Sequence, residues 1–501
     1  MKKLKWMAFL LIILMAGCAK EDQLVEQADD QLFQEPLSGE QINQIIDGIL
    51  DETGTFNWLD VDDFVLWSAA LNGDSIITIG YGEGSFSEFK NVDLLNQKQV
   101  IYDLILSIEK EKNPKFKSTG NDFLLYEDPI LNYMDFKITS LETVKELKNL
   151  QGIRYLEPGG YRYFAYETKF KSSSGCTTSA DNVNAADYRV ISPNCLVPWV
   201  FDKHNIPSAW AYSTGAGVGV GLIDTGVSSN QPLLGSSFND GYSSGRTISK
   251  YGVYVDSFWP WSTKTDGYHD KCGHGTSMAS TIASPRNDDM LPVGVAYNCN
   301  LVSYRATHDV VLDGYHEQKG VAKALTDLGN RSDIKVISMS IGHIFSVGRI
   351  EDAVKYAYSR GKMIIAAGGT STEWTNFVGV IFPASMSETV AVTGITDGSG
   401  YTECAVCHKG SKIDFTVIMQ RAGNSDRTSV CLGYYAGQKD YVGGSSVATS
   451  TTAGIAALIW GRYPSWNRTQ VLDKMKQSAS LYPNKSSNFG YGSINALLAV
   501  Q

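Results

Sequence analysis

Gly221-Leu222-Ile223-Asp224-Thr225-Gly226, Gly273-His274-Gly275-Thr276 and Gly444-Ser445-Ser446-Val447-Ala448 each set one chemically useful side chain among residues small enough to admit a neighbouring chain. A serine hydroxyl is a poor nucleophile until an imidazole takes its proton, and that imidazole needs a carboxylate to fix its tautomer. Asp224, His274 and Ser446 supply those three parts, in that order along the chain. Each alone also has a plainer reading. Asp224 could cap a turn, His274 could be an ordinary surface residue, and a Ser/Thr run such as Ser445–Thr452 could be a loop. It is the ordered trio that points to a nucleophilic hydrolase. His269, Cys272 and His274 raise the question of a metal, but their spacing fits no zinc pattern, and no metal site is predicted.

The elements that must position these groups can be read around them. Val218 to Ile223 is an apolar run, so Asp224 lies at the tip of a buried strand. Thr276-Ser277-Met278-Ala279-Ser280 begins a helix of small side chains that can approach a sheet closely while its first turn presents His274. Ser446 stands at the amino end of a second such helix, running through Ala456 and Ala457. Unpaired N–H groups and the helix dipole there favour the negative charge of an oxyanion. Strands at Gly217–Ile223, Asn300–Tyr304, Val336–Ser340, Met363–Ala367 and Thr389–Gly394 alternate with helices at His274–Ile282, Val321–Asp327 and Ile350–Arg360. That alternation predicts a parallel sheet covered on both faces, with its site at the carboxyl ends of the strands.

The 501 residues exceed one ordinary core, and 43% hydrophobic with 19% charged residues describes a globular chain. A net charge of -10 without a basic block argues against nucleic acid as a partner. Met1-Lys2-Lys3-Leu4-Lys5 and the apolar run from Trp6 to Met15 form a targeting segment too short to span a bilayer. It ends in Leu14-Met15-Ala16-Gly17-Cys18, which resembles a bacterial lipobox with Cys18 as the lipidated residue. Glu21-Asp22 after Lys20 is similar to surface-export tags of some Gram-negative lipoproteins. Seven cysteines remain after Cys18, so oxidation is plausible and at least one thiol is left over. Cys176 with Cys195 is the pairing expected from their shared Ser/Thr/Asn-rich stretch.

We expect a signal peptide at 1–17, a tether with a short helix at 18–58, an α+β module at 59–165, a linker with a processing site at 166–196, and a catalytic domain at 197–501. Within the module the order β-α-β-β-α-β is that of a ferredoxin-like fold, with Ser140 capping its second helix. Pro158-Gly159-Gly160 closes it.

Residues from about 197 to 500 resemble the subtilisin family of serine endopeptidases, in which the triad also runs Asp, His, Ser. Val336–Gly342 resembles the family's substrate-binding strand, and Met363–Gly368 the strand lining its specificity pocket. Pro464-Ser465-Trp466 and Phe489–Ala496 are similar to its C-terminal helix and closing strand. The resemblance implies a subtilisin-like three-layer α/β fold with a parallel sheet, preceded by the α+β ferredoxin-like prodomain. It makes Ser446 the nucleophile, His274 the general base and Asp224 the orienting carboxylate. The Ser446 backbone N–H would serve the oxyanion, and Ser340, Ile341, Gly342, Ala366, Ala367 and Gly368 would bind substrate. The ferredoxin-like module resembles the family's inhibitory propeptide, a folding aid and temporary plug.

Two departures stand out. The family's oxyanion Asn follows the Ala-Gly pair, and this chain has Gly369 there, with Thr370, Ser371 and Asn376 as nearby substitute donors. Ser450 replaces a proline usual after the nucleophile, a change that costs little in a first helical turn. Cys404-Ala405-Val406-Cys407-His408 matches the haem-attachment pattern C-x-x-C-H, but a disulfide among Cys404, Cys407 and Cys431 suits an isolated motif better. The aromatic stretch from Tyr242 to Tyr268 is an insertion that could shape substrate access or pack on the module.

The expectation is therefore an exported, lipid-anchored endopeptidase of the bacterial envelope, made as a self-inhibited zymogen. It would act on polypeptides without a cofactor; calcium sites are not readable. The alternatives are a catalytically silent surface binding protein, favoured by Gly369, and a haem-binding redox protein.

Overall fold

The computed structural model describes residues 35–86, 92–113, 123–166, 176–370 and 379–501. The leader and Cys18 lie outside them, and Pro36–Gln501 form one unit.

Apolar spacing builds the first module. Ser38 opens α1 (Gly39–Thr53) with a reciprocal cap to Gln41, and Gly54 closes it in the left-handed region. Ile42, Ile46 and Leu50 form its buried stripe. The chain continues through α2 (Asp63–Asn72), β1 (Ile76–Tyr81), α3 (Val92–Lys112), β2 (Leu124–Glu127), β3 (Tyr133–Lys137), α4 (Leu141–Asn149) and β4 (Ile153–Pro158). The four strands form an antiparallel sheet ordered β2-β3-β1-β4, the ferredoxin-like pattern. The two sides of its strands go to different cores. Ile77, Ile79, Met134, Phe136 and Leu156 join α1 and α2, whereas Leu131, Tyr133 and Tyr155 join a cluster of the C-terminal domain.

The expected tether is thus part of the module from Leu37 onward. The α1 residue Asn43 donates to Tyr163 C=O and accepts from Tyr161 Oη. Such buried polar contacts fix a helix that periodicity alone left loose.

The second domain runs through β5 (Tyr188–Ile191), β6 (Cys195–Pro198), α5 (Trp199–Lys203), α6 (Ile206–Ala209), β7 (Gly219–Asp224), β8 (Ile248–Gly252), α7 (His274–Ala283), β9 (Asn300–Arg305) and α8 (Tyr315–Asn330). It continues through β10 (Ile334–Met339), α9 (Gly348–Ser359), β11 (Met363–Ala367), β12 (Thr389–Thr396), β13 (Phe415–Gln420), β14 (Ser429–Leu432), β15 (Lys439–Val442), α10 (Gly444–Arg462), α11 (Arg468–Gln477) and α12 (Ala496–Val500). Seven strands pair in parallel in the order β13-β12-β11-β10-β7-β9-β8. Leu222, Val336 and Ile365 face α7 and α10; Ile223, Ile337 and Ile364 face α8 and α9. This is a three-layer α/β fold. Strand order reverses at β7, which places a crevice at its carboxyl end.

Two readings of residues 166–196 need correction. Cys176 bonds Cys272, not Cys195, with Cα atoms 4.5 Å apart. The β5–β6 hairpin draws Cys195 into the core as a buried thiol, while Cys176 lies beside the His274 turn. Nor is the chain from Cys176 onward a linker. Asp187 is buried and accepts from Arg421, Arg427 and Tyr441, which fastens the segment to the C-terminal domain.

The module docks on α8 and α9 through buried charge. Arg349, wholly buried, faces Asp135 at 2.9 Å and also meets Thr78, and Tyr315 Oη donates to the same carboxylate at 2.9 Å. Arg154 grips Asp352 with two 2.7 Å bonds. Glu157 accepts from Gly348 N–H at 2.8 Å, and burial, opposed by that bond and by Arg349, pushes its carboxyl up to about 8. An undocked Glu157 would titrate near 4.5, so the docked state holds the proton more tightly. Docking therefore weakens as pH rises from about 4.5 to about 8. In a Ser446→Ala chain, the urea midpoint of the module is expected to fall across that window, and Glu157→Gln to flatten the dependence. A profile identical with and without Glu157 would contradict this.

Candidate active site

Asp224 ends β7 in the crevice and is fully buried. Its Oδ1 accepts Thr225 N–H at 2.8 Å and lies 2.7 Å from His274 Nδ1. His274 is the first residue of α7, and Gly273 before it has φ +96°. A Cβ at Gly273 would sit 2.0 Å from Thr177 C=O, so only glycine lets the Cys176 segment pass the turn. Gly275 is needed for the same kind of reason, since a Cβ there would lie 2.3 Å from Gly226 C=O.

The turn is held by Asp270, which sequence reasoning missed. One oxygen accepts Cys272 N–H, Gly273 N–H and Thr225 Oγ1; the other accepts Thr276 N–H and Thr276 Oγ1. Thr225 Oγ1 in turn accepts Gly275 N–H. An acid four residues before His274, at the start of a small-residue helix, was the available signal.

Burial works against a charged imidazole at His274, but the facing Asp224 carboxylate outweighs it, with Asp270 and Asp309 adding, and holds the group above its ordinary value. With Nδ1–H donated to Asp224, Nε2 is the basic nitrogen.

His274 and Ser446 line one cavity of about 650 Å3. Ser446 sits in the first turn of α10, whose Gly443 cap makes no side-chain hydrogen bond, leaving the first N–H groups for a ligand. Among the described residues the Ser446 hydroxyl has no hydrogen-bond partner, a common state of a nucleophile before substrate tightens the site. Its carbonyl accepts Ser340 Oγ at 3.1 Å.

Of the expected substrate-binding residues, Ser340, Ile341, Gly342 and Ala367 line the cavity. Gly342 already spends its N–H on Val310 and its C=O on Leu312, so it offers no backbone pairing. Ala366 packs with Ala384, Ala391 and Ile413 instead, and the Gly368 backbone is paired with Val392 and Ile381. Phe164, which nothing in the sequence marked, brings the end of the module into the cavity; its N–H donates to Asp313.

Gly369 has φ +124°, and a Cβ there would fall 2.5 Å from His408 Nδ1. His408 is held by a 2.7 Å bond to Gly379 C=O. Cys404 and Cys407 are joined to each other, so their sulfurs are not open to haem thioethers, and Cys431 is a buried free thiol. Cys272 is spent in its own disulfide, and His269 is turned to Ser229 and Tyr434. In the aromatic insertion Tyr254 and Val255 are buried while Phe258 is 88% exposed. Trp259 stacks on Trp261, near Lys137 of the module.

The Subtilase family (Peptidase_S8) model matches residues 215–492, more than half of the chain. The chain belongs to the subtilase family. Subtilisin E of Bacillus subtilis (strain 168) is 30% identical over 310 residues, 61% of this chain and 71% of that protein. Alkaline elastase YaB of Bacillus sp. (strain YaB) is 28% identical over 309 residues, 61% of this chain and 70% of that protein. Among solved structures, fervidolysin from Fervidobacterium pennivorans, described as a keratinolytic enzyme related to subtilisin, matches with a TM-score of 0.60 at 16% identity. The match covers 85% of this chain and 61% of that one, and it is a likeness of fold. This subtilase thus has a subtilisin and an alkaline elastase among its relatives, and in it His274, paired with Asp224, lines the same cavity as Ser446.

Proposed function

We propose that this subtilase is a serine endopeptidase made as a self-inhibited zymogen. The observation that carries the reading is the 2.7 Å contact between His274 and buried Asp224 in the cavity that also holds Ser446. His274 Nε2 takes the Ser446 proton as Oγ attacks a peptide carbonyl. The Ser446 N–H, at the start of α10, meets the oxyanion. His274 then passes the proton to the leaving amine, and water resolves the acyl-enzyme. Ser340 and Ile341 pair with the substrate backbone.

In this reading residues 36–166 are the propeptide. Its docking on α8 and α9 and the presence of Phe164 in the cavity support an inhibitory role. Cys18 anchors the chain by lipid to the bacterial envelope after export, a proposal that rests on the leader sequence. Polypeptides are the substrates.

A fluorophosphonate probe tests the chemistry, because only an activated serine reacts. Labelling of the processed protein, lost in Ser446→Ala, is the expected result. Equal labelling of both proteins, or none of either, counts against the triad. Gly369 favours a second reading, a catalytically silent surface binding protein, and absence of labelling in a well-folded chain is its signature.

A further inference from the structure

We propose that Thr370 donates, through its hydroxyl, the side-chain hydrogen bond to the oxyanion that family members draw from an amide at the position of Gly369; this rests on the peptidase reading above. Gly369 itself cannot be repaired by a longer side chain. Its φ of +124° strains any residue with a Cβ, and the ring of His408 occupies the space that Cβ would enter. The backbone there is pinned as well, because His408 N–H donates to Gly369 C=O. A donor must come from elsewhere.

Thr370 is next in the chain and lines the same cavity as His274 and Ser446. Its Oγ1 lies 2.9 Å from where a Cβ of Gly444 would be, against the first residue of α10. It also lies 3.1 Å from Ser445 Oγ, the residue before the nucleophile. Either hydroxyl of this pair can donate to the other. Ser445 Oγ also accepts Gly369 N–H at 3.3 Å. In the proposed arrangement Ser445 donates to Thr370, which frees the Thr370 O–H to point into the cavity. Gly369 N–H, Ser445 O–H and Thr370 O–H form a relay in which each bond polarises the next. It ends in the cavity that Ser446 also lines, where the tetrahedral oxygen develops its charge.

The test measures kcat and KM on fluorescein-labelled casein for processed wild type, Thr370→Val, Thr370→Ser and Ser445→Ala, with Ser446→Ala as the blank. Loss of one oxyanion donor costs roughly 10²- to 10³-fold in kcat where the donor is an amide, a magnitude established on a subtilisin rather than on this chain. Thr370→Val is expected to lower kcat by at least about tenfold with KM nearly unchanged, Thr370→Ser to keep most of it, and Ser445→Ala to fall between. Affinity for a peptide aldehyde, which forms a tetrahedral adduct, should fall by the same factor as kcat/KM, while thermal unfolding stays put. Gly369→Asn should fail to raise kcat.

Thr370→Val turning over casein within about twofold of wild type, or losing activity only through a raised KM, overturns the donor assignment. A wild type without Ser446-dependent turnover overturns the peptidase reading and this inference with it. Those two results are distinguishable by the wild-type rate alone.

Discussion

Replacing Ser446 by alanine is expected to leave one full-length chain where the native protein resolves into two pieces cut between Tyr166 and Cys176. Both ends of that interval are anchored near the candidate catalytic pair. Phe164 is in the cavity with its N–H on Asp313, and Cys176 is joined to Cys272, two residues before His274. Residues 167–175 can span at most roughly 30 Å. Both flanks of the interval thus lie close to the cavity that His274 and Ser446 line, which is why the cut is expected there. Removing the nucleophile should also lower turnover of added peptides by roughly 10⁶-fold, again a subtilisin magnitude. Intact mass spectrometry of the two proteins decides the processing claim. Identical full-length species from both would count against it.

The second large effect concerns docking. Asp135→Ala in the Ser446→Ala background removes the carboxylate that faces Arg349, leaving a guanidinium with no exposed surface beside Thr78 and the rings of Tyr133 and Tyr315. Stranding one partner of a buried pair costs about 3 to 5 kcal/mol, whereas removing both is often near neutral. The urea midpoint should therefore drop sharply in Asp135→Ala and recover most of the way in Asp135→Ala with Arg349→Met. An exposed pair such as Lys323 with Asp327 is the control, with about 0.3 to 0.5 kcal/mol at stake. A loss no larger for Asp135→Ala than for that control would refute the account of the interface.

How much of this could be read beforehand depended on whether a residue's job was local. The strand Met363–Ala367 was legible to the residue because its burial is continuous and its ends are abrupt. The His274 helix and the long α10 were legible because small side chains at both helix starts have few other uses. β8 was not, since Ile248–Gly252 is half-buried and lies inside an aromatic, glycine-rich insertion without alternation. Asp270 was missed because its role is to tie its own turn, through Cys272, Gly273 and Thr276, to Thr225 at the end of β7, a segment distant in sequence. The Cys176–Cys195 pairing failed for a related reason, nearness in sequence having stood in for nearness in space. The triad residues were found by their neighbours' smallness, but the reach of Phe164 into the cavity and the ring of His408 against Gly369 follow only from the packed fold.

The bridge from Cys176 to Cys272 acts as a leash. It closes a separation of 96 residues, and cross-links over loops of that size restrict the denatured chain by roughly 4 to 5 kcal/mol. Once the polypeptide is severed upstream of Cys176, the new amino terminus stays covalently leashed to the imidazole turn rather than drifting off. Under thiol-reducing conditions that leash is absent, and the terminus generated by a cut is free to leave the turn.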